Sequence, residues 1–245
     1  MAKKIVILNG SPRPSGNTAA LIEAFTKGAE QAGNGVVRFD VCKMNIHPCL
    51  GCCGGRKNPE SPCVQKDDMD AIYPHYKDAD LVVLASPMYY WSLSGQLKCA
   101  FDRLFAVAEL SPSYANPVKD CVLLMAAEGD TESNFEPVRH YYHALLERLG
   151  WKDCGIVYAG GNMHVGDIAG KPHEHVHQRK EKRRCYQEQY RLIQPGKSLP
   201  FLLSHQTAPF RRAPAFGYTP RAPAGSVSRR ICGRMPPRCT PQPHM

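Results

Sequence analysis

Five short apolar runs punctuate the first two thirds of the chain, at residues 5–8, 36–41, 81–85, 121–127 and 155–159. The first and third are rich in β-branched residues and lack polar alternation, the pattern of strands covered on both faces in a parallel sheet. Between the runs, residues 18–31, 67–79, 93–107 and 134–149 carry apolar side chains at spacings that permit one apolar helical face. Gly33 and Gly35 end the first of these helices. Strand, helix and strand then follow at the spacing of a βαβ unit, in which the helix returns the chain for parallel pairing. Five such strands alternating with helices predict an α/β fold built on a doubly wound, five-stranded parallel sheet.

The chemistry gathers where strands end. Residues 5–8 break into Asn-Gly-Ser-Pro-Arg-Pro-Ser-Gly-Asn-Thr, residues 9–18. Gly10 and Gly16 let backbone approach a ligand, Ser11, Ser15 and Thr18 supply hydroxyls, and Arg13 supplies a fixed cation. Asn17 or Thr18 can cap the helix that follows, whose first N–H groups have no internal partners. Such a loop suits a phosphate-sized anion at a helix N-terminus. An ordinary strand-to-helix turn is the plainer reading. The chain has neither Gly-x-Gly-x-x-Gly after the strand nor Gly-x-x-x-x-Gly-Lys-Ser/Thr, so the dinucleotide fingerprint and the triphosphate loop are both excluded.

A second exit, residues 86–94, reads Ser-Pro-Met-Tyr-Tyr-Trp-Ser-Leu-Ser. Pro87 restricts its backbone, while Met88, Tyr89, Tyr90 and Trp91 offer an apolar and aromatic surface suited to a planar ring, at the end of an open sheet where ligands bind. Core packing or a subunit contact is the alternative for these side chains. Glu128, Gly129 and Asp130 form a third exit, and Gly160-Gly-Asn-Met-His164 a further glycine-bearing one.

Cys49, Cys52, Cys53 and Cys63 stand in a glycine-rich stretch that reads as a structural or redox-thiol loop, with a metal-bearing loop as the alternative. His140 and His143 would share a helical face, but no third ligand accompanies them locally, so surface or packing roles are expected.

Charge then divides the chain. The formal net charge is +9, yet residues 1–170 hold 16 Lys/Arg against 19 Asp/Glu, while residues 171–245 hold 15 against 3. The excess belongs to the end of the chain. There, alternating His173, His175 and His177 precede a basic run, which reads as a solvated basic helical or linker segment at 171–199. Nine prolines then fall within residues 200–245, which reads as an extended Pro/Arg-rich arm or tail. Nucleic acid is an unfavoured partner, because no recognition fold accompanies the charge. Eleven cysteines in a chain with a credible apolar core, without a secretory signal pattern, point to a reduced cytoplasmic protein rather than a disulfide scaffold. The apolar runs are too short to span a bilayer, so no membrane association is expected.

Taken together, Gly10-Ser-Pro-Arg-x-x-Gly-Asn-Thr18, the cysteine loop followed by Asp67-Asp68-Met69, Ser86-Pro-Met-Tyr-Tyr90 and Gly166-Asp167-Ile168 resemble the flavodoxin-like NADPH-dependent FMN reductases, in particular the branch related to iron–sulfur flavoproteins. The resemblance covers about residues 3–170, which makes 1–170 the expected FMN-binding domain. It implies strand order 2-1-3-4-5 and FMN as cofactor. Ser11, Arg13, Ser15, Gly16, Asn17 and Thr18 would lie at the phosphate, Pro87 to Trp91 along the ribityl chain and ring, and Glu128, Gly129 and Asp130 in the third loop. NADPH or NADH would act as transient reductant, a small-molecule or protein electron acceptor would take the electrons, and the protein would form a homodimer or homotetramer. No protein nucleophile or acid/base residue is required. Cluster-bearing relatives place ligands as Cys-x-x-Cys-x-x-Cys plus a fourth. Here Cys49 and Cys52 match, Gly55 stands at the third position, and Cys53 adjoins Cys52. An iron–sulfur cluster is therefore possible but not favoured. An FMN-dependent oxidoreductase passing electrons from NAD(P)H to a quinone, flavin or protein is the leading expectation. A flavodoxin-like carrier without direct nicotinamide oxidation, or an anion or nucleic-acid interaction protein using the basic tail, are the alternatives.

Overall fold

The computed structural model describes residues 2–55 and 58–170. Strands and helices alternate along them as β1 (Lys4–Asn9), α1 (Asn17–Gln31), β2 (Gly35–Asp40), α2 (Met69–Asp78), β3 (Leu81–Pro87), α3 (Gly95–Arg103), α4 (Phe105–Ala108), β4 (Asp120–Ala126), α5 (Glu132–Leu149) and β5 (Lys152–Ala159). The strands form one parallel sheet in the order β2-β1-β3-β4-β5, the flavodoxin-like arrangement. The segments 171–199 and 200–245, with their histidines, basic run and prolines, lie outside the described residues.

Strand side chains alternate between two apolar layers. Val6, Leu8, Val82, Leu84, Leu123, Met125 and Tyr158 meet α2, α3, α4 and α5 on one face, while Ile5, Ile7, Val83, Ala85, Leu124 and Ala159 meet Leu21 and Ile22 of α1 on the other. Burying one such side chain fully contributes about 1.5–3 kcal/mol, and this two-sided burial explains why β1 and β3 read as unbroken apolar runs.

Two local features depart from the sequence reading. The helix expected over 93–107 is divided, because the backbone tightens at Leu104: its N–H reaches Phe101 O and its carbonyl accepts from Val107. Arg103 lies on the same helix as Lys98 and Asp102 and, by its charge, belongs with them on the wet side, yet it is buried, whereas Lys98 and Asp102 pair at the surface at 2.7 Å. At the far end of α5, Gly150 adopts φ +66 and closes the helix through Trp151 N to Leu146 O, the left-handed stop that favours glycine.

Candidate functional site

Parallel strands bring all their C-terminal exits to one end of the sheet, and here the exits are bonded into a ring. At the first, Asn9 is buried and bridges two strands: its amide nitrogen donates to Asp40 Oδ1 at 2.9 Å, and its Oδ1 accepts from Ser11 N at 3.0 Å. Burial opposes ionisation of Asp40, but hydrogen bonds from Asn9, Arg38 and Lys43 outweigh it and hold its carboxyl below the ordinary range. The Cys42 thiol donates to Ser11 O at 2.8 Å, and Ser11 Oγ accepts from Arg13 N at 3.3 Å. These bonds set the loop's shape and leave the first turn of α1 open.

Gly16, not Asn17 or Thr18, occupies the N-cap, and no side chain caps the helix. Ala20 N makes the first helical bond, to Gly16 O, so the N–H groups of Asn17, Thr18 and Ala19 have no acceptor among the described residues. The first turn carries no carboxylate. Three free donors at the positive end of a 15-residue helix, beside the Ser11 and Thr18 hydroxyls and exposed Arg13 and Ser15, form an anion cradle. A Cβ on Gly16 would stand 2.9 Å from Arg13 Cβ, crowding that cradle.

Gly10 joins the first exit to the second. A Cβ there would collide with Ser94 Oγ and stand 2.6 Å from Leu97 Cβ. Ser94 caps α3 by accepting from Leu97 N and is itself fixed by donating its N–H to Ser86 Oγ at 2.8 Å. Between them the chain makes a tight turn in which Tyr89 and Ser92 exchange both backbone hydrogen bonds at 3.1 Å. The central residues, Tyr90 and Trp91, have φ +47 and +56. Glycine or asparagine normally fills such positions, and each other side chain costs about 1–2 kcal/mol there. The strained turn displays its rings: Tyr89, Tyr90 and Trp91 are all exposed, Tyr90 to 95%. Pro87 and Met88 are half-buried beneath them.

The remaining exits close the ring. Met88 N donates to Ala126 O at 2.8 Å, and Asn134, near the start of α5, accepts from Trp91 Nε1 at 3.2 Å. Gly160 lies so near the third loop that a Cβ would collide with Asp130 Cα and stand 2.8 Å from Gly129 O. Past β5, Arg13 Nη1 donates to Met163 O at 3.2 Å, and Asn17 donates to His164 O at 2.8 Å while accepting from Gly166 N and Ile168 N. Asn17 is thus engaged by its side chain in fastening the Gly166-Asp167-Ile168 segment, so what it offers an anion is its backbone N–H. Glu128 and Asp130 are exposed at the rim, with Gly129 half-buried between them. The anion cradle and the aromatic turn, expected from separate stretches, therefore share one surface.

Cys49, Cys52, Cys53 and Cys63 line one cavity with Arg103 and Glu109, and this cavity shares no residue with the strand exits. The Arg103 guanidinium grips Asp67 with two bonds, 2.6 and 3.1 Å, and also donates to His47 O at 2.8 Å. Burial raises the Asp67 carboxyl, but the bonds from Arg103 and from the N–H groups of His47 and Met69 prevail and hold it at about 2. This pair clamps both ends of the cysteine loop. Asn9, Asp40, Cys42 and Asn134 are site-shaping residues that sequence reasoning missed. A polar residue ending an apolar run was the signal available for Asn9; none marked Asn134.

The family model of the NADPH-dependent FMN reductases matches residues 3–162. An iron-sulfur flavoprotein of Archaeoglobus fulgidus is 31% identical over 168 residues, 69% of this chain and 71% of its own length. Another, of Methanocaldococcus jannaschii, is 33% identical over 160 residues, 64% and 81% respectively. Among solved structures, the NAD(P)H:quinone oxidoreductase from Methanothermobacter marburgensis superposes with a TM-score of 0.56 at 21% identity, covering 73% of this chain and all of that one, a likeness of fold.

Proposed function

Because the chain belongs to the NADPH-dependent FMN reductase family and is an oxidoreductase of that class, we propose that its ring of strand exits holds FMN and serves electron transfer from NAD(P)H to a quinone, a flavin or a protein acceptor. The observation that carries this reading is the junction of an uncapped, carboxylate-free helix N-terminus with an exposed aromatic turn through Gly10 and Ser94. A phosphate at one end and a planar ring at the other match those two surfaces.

The roles of the chain's own residues follow from their chemistry. The N–H groups of Asn17, Thr18 and Ala19, with Ser11, Ser15 and Arg13, neutralise and orient the phosphate. Met88, Tyr89, Tyr90 and Trp91 present polarizable and aromatic surface to the ring and shield it from water. Glu128, Gly129 and Asp130 bound it on the third side. FMN held by these residues would supply the redox chemistry, hydride acceptance from reduced nicotinamide and onward electron transfer. No side chain need act as nucleophile or general acid, and the protein's work is positioning and electrostatic tuning.

An iron–sulfur cluster, present in the names of the two relatives described above, is not favoured here, because glycine stands at 55, the third ligand position that the resemblance implies. Although Cys49, Cys52, Cys53 and Cys63 line one cavity, no group of three or more His, Cys, Asp or Glu among the described residues is placed to hold a metal ion. The electron route proposed runs through flavin alone.

Purification followed by absorbance and anaerobic titration with NADH and with NADPH tests the reading. Bound or reconstitutable FMN that bleaches on nicotinamide addition supports it; failure to bind FMN rejects it, and binding without bleaching favours the carrier alternative. No helix among the described residues is long and apolar enough to cross a membrane. A cytoplasmic homodimer or homotetramer, with 1–170 as the flavin domain and the Pro/Arg-rich end as an assembly arm, completes the proposal.

A further inference from the structure

The two loops proposed to border the flavin ring are joined by one side chain that belongs to neither. Asn134 accepts from the Trp91 indole N–H at 3.2 Å and donates from Nδ2 to Gly129 O at 3.3 Å, with Met88 Sδ 3.7 Å from the same nitrogen. The amide has only one satisfactory orientation. An indole N–H can only donate and a peptide carbonyl can only accept, so Oδ1 must face the tryptophan and the NH₂ must face the third loop. The space is made for it: a Cβ on Gly129 would stand 2.7 Å from Asn134 Cγ and Nδ2. What it holds is the Tyr90–Trp91 turn, whose two left-handed residues need surroundings that over-determine them.

We infer that Asn134 is a positioning residue that locks the strained Tyr90–Trp91 turn and Met88 against the third loop, so that the surface meeting the flavin ring is rigid before the cofactor arrives. This rests on the FMN reading above. The amide itself touches Trp91, Met88 and Gly129, so its effect reaches the flavin through them. Preorganisation lowers the ordering cost of binding, and losing it weakens affinity without removing any direct contact.

The test compares wild-type protein, Asn134→Ala, Trp91→Phe and Gly129→Ala as apoproteins titrated with FMN, recording affinity, the visible circular dichroism of bound flavin, and the urea midpoint without flavin. Asn134→Ala is expected to weaken FMN binding about tenfold and to change the dichroic bands. Trp91→Phe keeps an aromatic ring but removes the indole donor, and Gly129→Ala displaces the amide; both shift the same two readouts in the same direction. A merely structural residue would lower the urea midpoint while leaving the flavin's dichroism as in wild type, and that result overturns the inference. Wild-type affinity and dichroism in Asn134→Ala also overturn it. Should Asn134→Ala fail to fold, an unaltered Trp91→Phe overturns it instead. If wild-type protein takes up no FMN, the functional reading fails and this inference falls with it.

Discussion

Replacing Asp67 with asparagine isolates the clamp on the cysteine loop. Neither Asp67 nor Arg103 exposes any of its side chain to solvent, and the carboxylate receives two guanidinium bonds together with the N–H groups of His47, at 3.0 Å, and Met69, at 3.1 Å. Four donors thus converge on two acceptor oxygens. Asparagine offers one oxygen and turns an NH₂ against the remaining donors, leaving a buried guanidinium without its counter-charge. Breaking a buried pair from one side costs about 3–5 kcal/mol. A domain of this size loses about 2–4 °C in Tm per kcal/mol, so the expected fall is about 6–20 °C.

The same substitution has a pH signature whose sign is fixed. The carboxyl titrates at about 2 when folded, against 3.8 ordinarily, so the folded state favours the ionised form. The contribution, about 2.5 kcal/mol at about 1.4 kcal/mol per pH unit, is present above pH 4 and is lost as pH falls from about 4 towards 2. Asp67→Asn should therefore be less stable than wild type at neutral pH, and its urea midpoint should fall less steeply across that acid window. Urea unfolding followed by far-UV circular dichroism at pH 7, 5, 4 and 3 measures both effects. A variant with the wild-type midpoint at pH 7, or with the wild-type acid slope, would refute the clamp. Because the pair bonds to none of the four strand exits, FMN affinity of the folded variant should stay as in wild type.

Other substitutions probe the ring itself. Gly10→Ala forces a methyl group against Ser94 and Leu97, and overpacking of this kind costs about 1–3 kcal/mol; an unchanged urea midpoint would show that the first two exits do not meet there. Arg13→Ala should weaken FMN about tenfold or more while leaving riboflavin, which lacks the phosphate, nearly unaffected; equal losses for the two ligands would place Arg13 elsewhere than at the phosphate. Anaerobic reconstitution with ferrous iron and sulfide should leave the absorption spectrum that of flavin alone, and stoichiometric iron and sulfide uptake would show that Cys49, Cys52, Cys53 and Cys63 hold a cluster without a ligand at position 55. Deleting residues 200–245 should preserve FMN binding and change the number of protomers per assembly measured by light scattering, whereas loss of nucleic-acid binding with an unchanged protomer number would identify an interaction tail.

The sheet was legible because burial on both faces erases polar alternation. Residues 5–8 and 81–85 could scarcely be anything but central strands, and the alternation with helices left few topologies. The loop after β1 was legible in its place and composition but not in its contacts, since Gly16 rather than Asn17 or Thr18 holds the N-cap of the helix. Arg103 was not legible. Its neighbours Lys98 and Asp102 form the surface pair that their spacing suggests, and the partner that draws Arg103 inward lies 36 positions away. Asn17 shows the same limit at the site: its type and place suit a phosphate contact or a helix cap, yet its amide reaches a segment about 150 residues further along. Periodicity reports which face is buried, and only the fold reports who waits there.

The contacts that close the ring also imply how it tolerates change. Gly10 meets Ser94 and Gly160 meets Asp130 across neighbouring exits, and Gly129 meets Asn134, whose amide in turn reaches Trp91 of the second exit, each at a distance that excludes a Cβ on the glycine. Gly160 meets backbone, and the Ser94 and Asn134 side chains that face Gly10 and Gly129 are held by hydrogen bonds with Leu97 N and with Trp91 Nε1 and Gly129 O, so a displacement of one loop must be taken up by the next. Substitutions at two joints should therefore be non-additive in FMN affinity even when the residues share no direct bond, because the first already releases the strain that the second would create. A double-mutant cycle on Gly10→Ala and Gly129→Ala measures this. A combined loss smaller than the sum of the single losses is expected, and strict additivity would mean that the exits are anchored separately by their strands and that the ring does not behave as a unit.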